Sequence, residues 1–272
     1  MIIPVSYLQS DSKWGSKIYS RILRYDNKGN PIYHDKTQTI SSSGCGPTAA
    51  AMVAATLFPI FKSTPETACI WSMKNGYRSD NEGTLHSFFK PYLAQFGITC
   101  KQITPSNLRK MSTSVSKPYK EKLITNLKNG KWAICCMGEG LWTKGGHYIL
   151  AYGVDSNNKV LIRDPASTRT DRTHGNMTTF LNEIKHYWLI DIPNGDKKDE
   201  VDDMTSDEVK KIIKEDKRYI KDIKDAPADF QPILKELQAK GILKGTGIEE
   251  VGMSYEAVRL IIITYRMLNY SV

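Results

Sequence analysis

The strongest chemical signal in the sequence is a cysteine between two glycines, Gly44-Cys45-Gly46, followed directly by Pro47. Proline is favoured in the first turn of a helix and residues 47–58 are Ala-rich and apolar, so the sequence predicts a buried helix that begins just after Cys45. The partial positive charge at a helix N-terminus stabilises a thiolate, the nucleophilic form of cysteine. The glycines allow close backbone approach, which makes Gly44 and Gly46 candidate substrate-binding positions. A structural cysteine at a helix cap is the alternative.

A thiolate nucleophile needs a base, and His147 is the best candidate among the five histidines. It follows Gly145-Gly146 and opens an apolar run, 147–154, that is typical of a strand. A histidine at the end of a strand is held rigidly yet can face a cleft. Gly146 is therefore a further candidate for substrate contact.

Asp164 is the candidate for a third group that orients the imidazole. The segment 155–158 predicts a turn, so the strands on either side form a hairpin in which residue i lies opposite residue 313 − i. Asp164 then lies opposite residue 149, at the same end as His147. Asp155 is the competitor, but it lies at the turn end.

Two further side chains are candidates for the cleft. The oxyanion of a tetrahedral intermediate needs hydrogen-bond donors, and the backbone N–H of Cys45 is one. A side-chain amide often supplies another, although spacing alone favours a surface position for Gln9. Trp142, in a Gly-rich loop before His147, is a candidate to line the cleft, and packing in the core is its equally weighted alternative.

The surrounding elements indicate an α+β fold with helices first and antiparallel strands second. Further helices are predicted near 84–96 and 119–129, and strands over 132–137, 147–154, 159–163 and 185–192. Residues 194–203 are polar and highly charged, which predicts a linker between a domain at 1–193 and a small all-α module at 204–272. That module is expected to contain helices over 205–219, 227–240 and 254–268.

Composition limits the classes of function. The net charge is +9, and all of the positive excess lies in residues 1–193: they have 24 basic and 13 acidic residues (net +11), whereas residues 194–272 have 14 basic and 16 acidic (net −2). Such a field favours an anionic partner, but no motif supports nucleic-acid binding. No apolar run is long enough for membrane insertion, and the N-terminus lacks the pattern of a secretory signal. The five cysteines match neither a zinc site nor a disulfide framework.

Four separated motifs together resemble papain-like cysteine peptidases related to the bacteriocin leader-peptide-processing (double-glycine peptidase) family. They are 5-VSYLQSD-11, 43-SGCGPT-48, 146-GHYI-149 and 163-RDP-165, and they span most of residues 1–193. The resemblance implies a papain-like domain, in which the helix bearing the cysteine packs on an antiparallel sheet. It implies Cys45 as nucleophile, His147 as base and acid, Asp164 as orienting group and Gln9 as oxyanion donor. No metal or organic cofactor is implied.

The arrangement resembles a phage endolysin, because the chain lacks the membrane segments and the ATP-binding motif of the transporter-linked members. Residues 226–268 weakly resemble small helical wall-attachment modules. We therefore expect a peptidoglycan hydrolase that acts on the bacterial cell wall and stays in the host cytoplasm until it is released. The alternatives are a protease acting on proteins or peptides, an acyl or peptidyl transferase, and a non-enzymatic wall-binding or phage tail protein. The C-terminal module could instead mediate oligomerisation.

Overall fold

A computed structural model of the protein describes residues 2–80, 83–191, 219–226, 228, 230–239 and 250–254. The chain divides into two compact units, Met1–Pro193 and Asn194–Val272. Each unit is described by itself below.

The first unit contains seven α-helices and eight strands among its described residues. The helices are α1 (Ile40–Ser43), α2 (Cys45–Leu57), α3 (Pro65–Lys74), α4 (Phe89–Ala94), α5 (Thr113–Lys128), α6 (Thr170–Thr173) and α7 (Met177–Glu183). The strands are β1 (Ile22–Tyr25), β2 (Pro31–Tyr33), β3 (Thr99–Gln102), β4 (Trp132–Met137), β5 (His147–Val154), β6 (Lys159–Arg163), β7 (His174–Asn176) and β8 (Ile184–Asp191). This element content confirms the α+β class and fits a papain-like domain.

Six of the strands form one antiparallel sheet in the order β3-β8-β4-β5-β6-β7. Its central strands β4 and β5 are buried almost throughout, which explains why both read as continuous apolar runs. Strands β1 and β2 form a separate hairpin.

The two faces of the sheet are covered by different helices. Side chains at alternate positions of β4, including Ala133 and Cys135, share one core cluster with Leu123 and Leu127 of α5. Tyr148 on β5 lies toward the other helix, because a Cβ placed on Gly46 of α2 would be 3.2 Å from its ring. Successive side chains along a strand point to opposite faces of the sheet. Ala133 and Cys135 therefore pack on the α5 side, and Tyr148 packs on the α2 side.

Helix α2 is buried from Gly46 to Ala55 and packs on α3 and β5. Its small alanine side chains let the backbone approach the sheet closely. Pro47 is tolerated in the first turn because the N–H that it lacks would have no partner within the helix there. The helix begins at Cys45 itself, so the predicted placement of the cysteine at a helix N-terminus is confirmed.

The predicted helix at 84–96 is much shorter in the structure. A 3₁₀ turn at His86–Phe88 leads into α4, which ends at Ala94. The predicted helix at 119–129 instead starts at Thr113 and ends at Lys128, and it includes Pro118 in its second turn. Strands β4, β5 and β6 match their predicted bounds, and β8 is shifted by one residue.

The second unit is not all-α where it is described, so that prediction is wrong. Strands β9 (Tyr219–Asp222) and β10 (Glu250–Ser254) pair antiparallel, and helix α8 spans Gln231–Ala239 within the predicted 227–240 segment. Almost thirty residues separate the two strands in the sequence, so no local pattern predicts that they pair. The predicted linker at 194–203 and most of the helices at 205–219 and 254–268 lie outside the described residues. In the described part of the chain, no helix has both the length and the apolar character needed to cross a membrane.

Candidate active site

Cys45 is the first residue of α2, and its side chain is half-buried. His147 and the backbone N–H groups of Gly46 and Tyr148 lie near its thiol and act on it electrostatically. Burial alone raises the pKa of a thiol, but the hydrogen bond and charge of His147, together with the two backbone N–H groups, lower the pKa of Cys45 below its usual value. This environment favours the thiolate.

His147 is the first residue of β5, and it lies between Cys45 and Asp164. Its Nε2 lies 2.7 Å from Asp164 Oδ1. Burial alone lowers the pKa of the imidazole, but the hydrogen bonds and charges of Asp164 and Cys45 outweigh burial and raise the pKa to about 9. The lowered pKa of the thiol and the raised pKa of the imidazole both favour the thiolate–imidazolium form of the pair.

The β5–β6 hairpin places Asp164 beside His147, as the reflection about the turn predicts. Leu150 pairs with Arg163 and Ala151 with Ile162, both in the predicted register, and a bulge separates these pairs from those near the turn. The competing carboxylate, Asp155, accepts N–H bonds from Asn157 and Lys159 and so stabilises the turn.

Gln9 is buried and lies near both ends of this arrangement. Its backbone N–H donates to the carbonyl of Pro165 at 2.8 Å, and its Nε2 donates to the carbonyl of Ser41 at 2.6 Å. Ser41 belongs to α1, the helical turn directly before Cys45. A carboxamide nitrogen has two hydrogens, so the second N–H of Gln9 remains for a ligand.

The segment that contains Cys45, His147 and Asp164 matches a known protein family. The model of the Peptidase_C39 like family matches residues 22–191. The chain belongs to the Peptidase_C39 like family. The family indicates a cysteine peptidase, a hydrolase, and supports the papain-like relationship that the motifs suggest. No curated protein matches the chain significantly.

The matched region of this C39-like protein includes Cys45, His147 and Asp164 but not Gln9. Gln9 is therefore connected to the site by the hydrogen bonds of its backbone and side chain, independently of the family match.

The candidate glycines of the C39-like site differ in what surrounds them. A Cβ on Gly44 would lie 2.6 Å from the carbonyl oxygen of Ile40, and one on Gly46 would lie 3.0 Å from Thr84. Both glycines are buried against protein atoms, so close packing accounts for the absence of a side chain at each position, and substrate contact by their backbones stays a prediction. Gly146, in contrast, is exposed, with no atom within 4 Å of its would-be Cβ.

The prediction that Trp142 lines the cleft is wrong. Only 2% of the residue is exposed, and its ring packs in the core cluster near Phe180 and against Gly175. Its indole N–H donates to the carbonyl of Arg172 at 3.0 Å. The loop before β5 folds inward here, so the alternative that Trp142 is a packing residue is the correct one.

Arg172 of α6 is a site residue that the sequence did not indicate. Its Nε donates to Asp164 Oδ2 at 2.6 Å, on the opposite carboxylate oxygen from His147. The segment 169-RTDRT-173 reads as a charged surface loop, and only the fold brings it to Asp164. An arginine eight residues after a candidate triad aspartate was the sole available signal.

The other four thiols of this C39-like protein are free and buried. Burial raises the pKa of Cys100 and Cys136 to about 12, and raises the pKa of Cys69 and Cys135 as well. Cys45 is therefore the one thiol in the described residues whose pKa is lowered. No cluster of three or more His, Cys, Asp or Glu side chains suited to a metal ion occurs within those residues.

Proposed function

We propose that this protein hydrolyses an amide bond of bacterial peptidoglycan, with Cys45 as nucleophile, His147 as acid and base, and Asp164 as orienting group. The observation that carries the proposal is the position of His147, which lies beside the Cys45 thiol and 2.7 Å from the buried Asp164 carboxylate. Such an arrangement, around a thiol with a lowered pKa at a helix N-terminus, is suited to acyl transfer.

In the proposed reaction, the Cys45 thiolate attacks the amide carbonyl and forms a tetrahedral intermediate. The imidazolium of His147 donates its proton to the leaving amine as the C–N bond breaks, which leaves a thioester on Cys45. Neutral His147 then takes a proton from water as the water oxygen attacks the thioester. Collapse of this second tetrahedral intermediate expels the Cys45 thiolate, which releases the acid product and restores the thiolate–imidazolium pair. Asp164 holds the ring and stabilises its charged form.

The oxyanion of each intermediate needs donors, and we propose the backbone N–H of Cys45 and the Nε2 group of Gln9. The 2.6 Å bond to Ser41 holds the Gln9 amide beside the start of α2 with one hydrogen to spare. Preorganised donors of this kind stabilise the transition state at no reorganisation cost. Gly146 is the proposed exposed rim position for substrate contact.

Two features favour the cell wall as substrate. The positive excess of residues 1–193 suits an anionic wall polymer, and residues 226–268 resemble wall-attachment modules. We propose that 194–203 links the catalytic domain to a module at 204–272 that binds wall or mediates oligomerisation. The whole would act as an endolysin-like enzyme released from the host cytoplasm, with neither nucleic acid nor membrane insertion involved.

The second candidate is a protease that acts on polypeptides, and the match to a peptidase family favours it. The same residues would carry the same steps, so only the substrate separates the two functions. A non-enzymatic wall-binding or tail role remains the alternative without catalysis.

The test is mass spectrometry of fragments after incubation of several purified Gram-positive walls with the full chain. Cys45→Ala removes the nucleophile, and Cys100→Ala is the matched control for loss of a buried thiol. We expect new amino groups and matching fragments with the wild-type and Cys100→Ala proteins but not with Cys45→Ala. Cleavage of unfolded polypeptides with no wall fragments would favour the second candidate.

A further inference from the structure

The carboxylate of Asp164 is shared between two cationic side chains. Its side chain is fully buried, and it accepts from His147 Nε2 at 2.7 Å on Oδ1 and from Arg172 Nε at 2.6 Å on Oδ2. The backbone N–H of Ala166 adds a third bond to Oδ1 at 2.8 Å. Donors on both oxygens prevent the carboxylate from rotating about its Cβ–Cγ bond.

Arg172 is itself fixed from both ends by Trp142. The guanidinium NH2 group donates to the Trp142 carbonyl at 2.9 Å, and the Trp142 indole N–H donates back to the Arg172 carbonyl at 3.0 Å. The Arg172 side chain is 15% exposed. These reciprocal bonds tie the loop before His147 to helix α6, and they direct the Nε–H at Asp164.

The charges explain why an arginine suits this place. A buried carboxylate with one cationic partner would act on His147 with its full negative charge and stabilise the imidazolium strongly. A second cation on the far oxygen reduces that effect, because the positive charge of Arg172 partly cancels the negative charge of the Asp164 carboxylate at the imidazole. The imidazolium then remains acidic enough to protonate a leaving group.

We infer that Arg172 is a positioning residue that fixes the Asp164 carboxylate for His147 and offsets part of the negative charge that this carboxylate presents to the imidazole. The inference rests on the proposed roles of Cys45, His147 and Asp164, but not on the identity of the substrate. Its readouts are properties of the site itself, so failure to digest walls would leave the inference testable.

The experiment measures the His147 pKa by NMR of the imidazole nitrogens and the rate of Cys45 alkylation by iodoacetamide. Both are followed against pH in Arg172→Gln, Arg172→Lys and the control Arg169→Gln, which changes an exposed arginine next to the same helix. We expect Arg172→Gln to raise the His147 pKa by at least about half a pH unit. Arg172→Lys keeps the charge and should leave the pKa within about 0.2 unit.

The alkylation rate tests the geometric part. Arginine uses two separate nitrogens, Nε and Nη2, for Asp164 and the Trp142 carbonyl, whereas lysine offers a single nitrogen. Lysine should therefore not reproduce both bonds in the same geometry, and the plateau rate of Arg172→Lys should fall about threefold or more. Arg169→Gln should match the wild type in both readouts. A folded Arg172→Gln protein with the wild-type His147 pKa would overturn the inference. If that variant does not fold, Arg172→Lys decides: a reduced plateau rate supports the inference and a wild-type rate overturns it.

Discussion

The backbone N–H of Gln9 donates to the carbonyl of Pro165 at 2.8 Å, which ties the N-terminal segment to the residue after Asp164. The same glutamine reaches Ser41, one turn before Cys45, through its side chain. One residue thus bridges the two halves of the proposed site, the helix that carries the nucleophile and the hairpin that carries the base.

This bridging position leads to a prediction for Gln9→Ala. If Gln9 donates to the oxyanion, turnover of the cleaved substrate should fall about 10²–10³-fold with KM little changed. Gln102→Ala is the control, because Gln102 is an exposed glutamine of β3 whose amide bonds locally to Thr104. Steady-state kinetics check both variants, and a Gln9→Ala enzyme within about threefold of wild type would remove Gln9 from the mechanism.

The pKa of His147 predicts a loss of activity at high pH. The pKa lies near 9, so the imidazolium that protonates the leaving amine is present below about pH 9 and is lost as pH rises through that value. We expect kcat/KM to fall on the alkaline side with an apparent pKa near 9, in a pH profile measured under conditions where the fold is stable. A midpoint near 6.5 would show that the bonds to Asp164 and Cys45 do not raise the imidazole pKa.

Gly44 should resist substitution because of packing rather than chemistry. In Gly44→Ala the new Cβ would meet the Ile40 carbonyl at 2.6 Å, so α1 and α2 must shift apart, at a cost of about 1–3 kcal/mol in the free energy of unfolding. Gly145→Ala, where the Cβ would have open space, is the control and should change that free energy by less than about 0.5 kcal/mol. Denaturant unfolding measures both, and equal effects would contradict the packing explanation.

Trp142→Phe separates a core role from a cleft role. The change removes the indole N–H and leaves the Arg172 carbonyl without that donor, so we expect a loss of about 1–3 kcal/mol in stability. KM should stay within about twofold of wild type, because the ring lies in the core. A large rise in KM with unchanged stability would instead return Trp142 to the cleft.

The parts of the site that the sequence predicts are those with strong local signals. Cys45 is flanked by glycines before a proline-opened, alanine-rich helix, and the turn chemistry of Asp155 sets the register that brings Asp164 to His147. Both arguments use short separations along the chain. Burial does not set the register here, because β5 is buried on both faces; the turn sets it, since the Asp155 carboxylate accepts hydrogen bonds from Asn157 and Lys159.

The parts that could not be predicted depend on contacts between distant segments. Arg172 reaches Asp164 only because α6 folds back across the end of the hairpin, and Trp142 is buried by Phe180 of α7. The β9–β10 pair likewise joins segments with no local signal. The hydropathy of a segment does not show which distant segment it will contact, so it could not distinguish a surface position from a buried one for these residues.

The central claim is that Cys45 and His147 form a thiolate–imidazolium pair, and the rate of Cys45 alkylation by iodoacetamide at pH 6 tests it most directly. Intact-protein and peptide mass spectrometry identify the modified thiol in the wild type and in His147→Ala. We predict that Cys45 reacts first in the wild type and at least about tenfold more slowly in His147→Ala, whose rate should rise only as pH approaches the ordinary thiol pKa. Equal rates at pH 6 in the two proteins would contradict the claim.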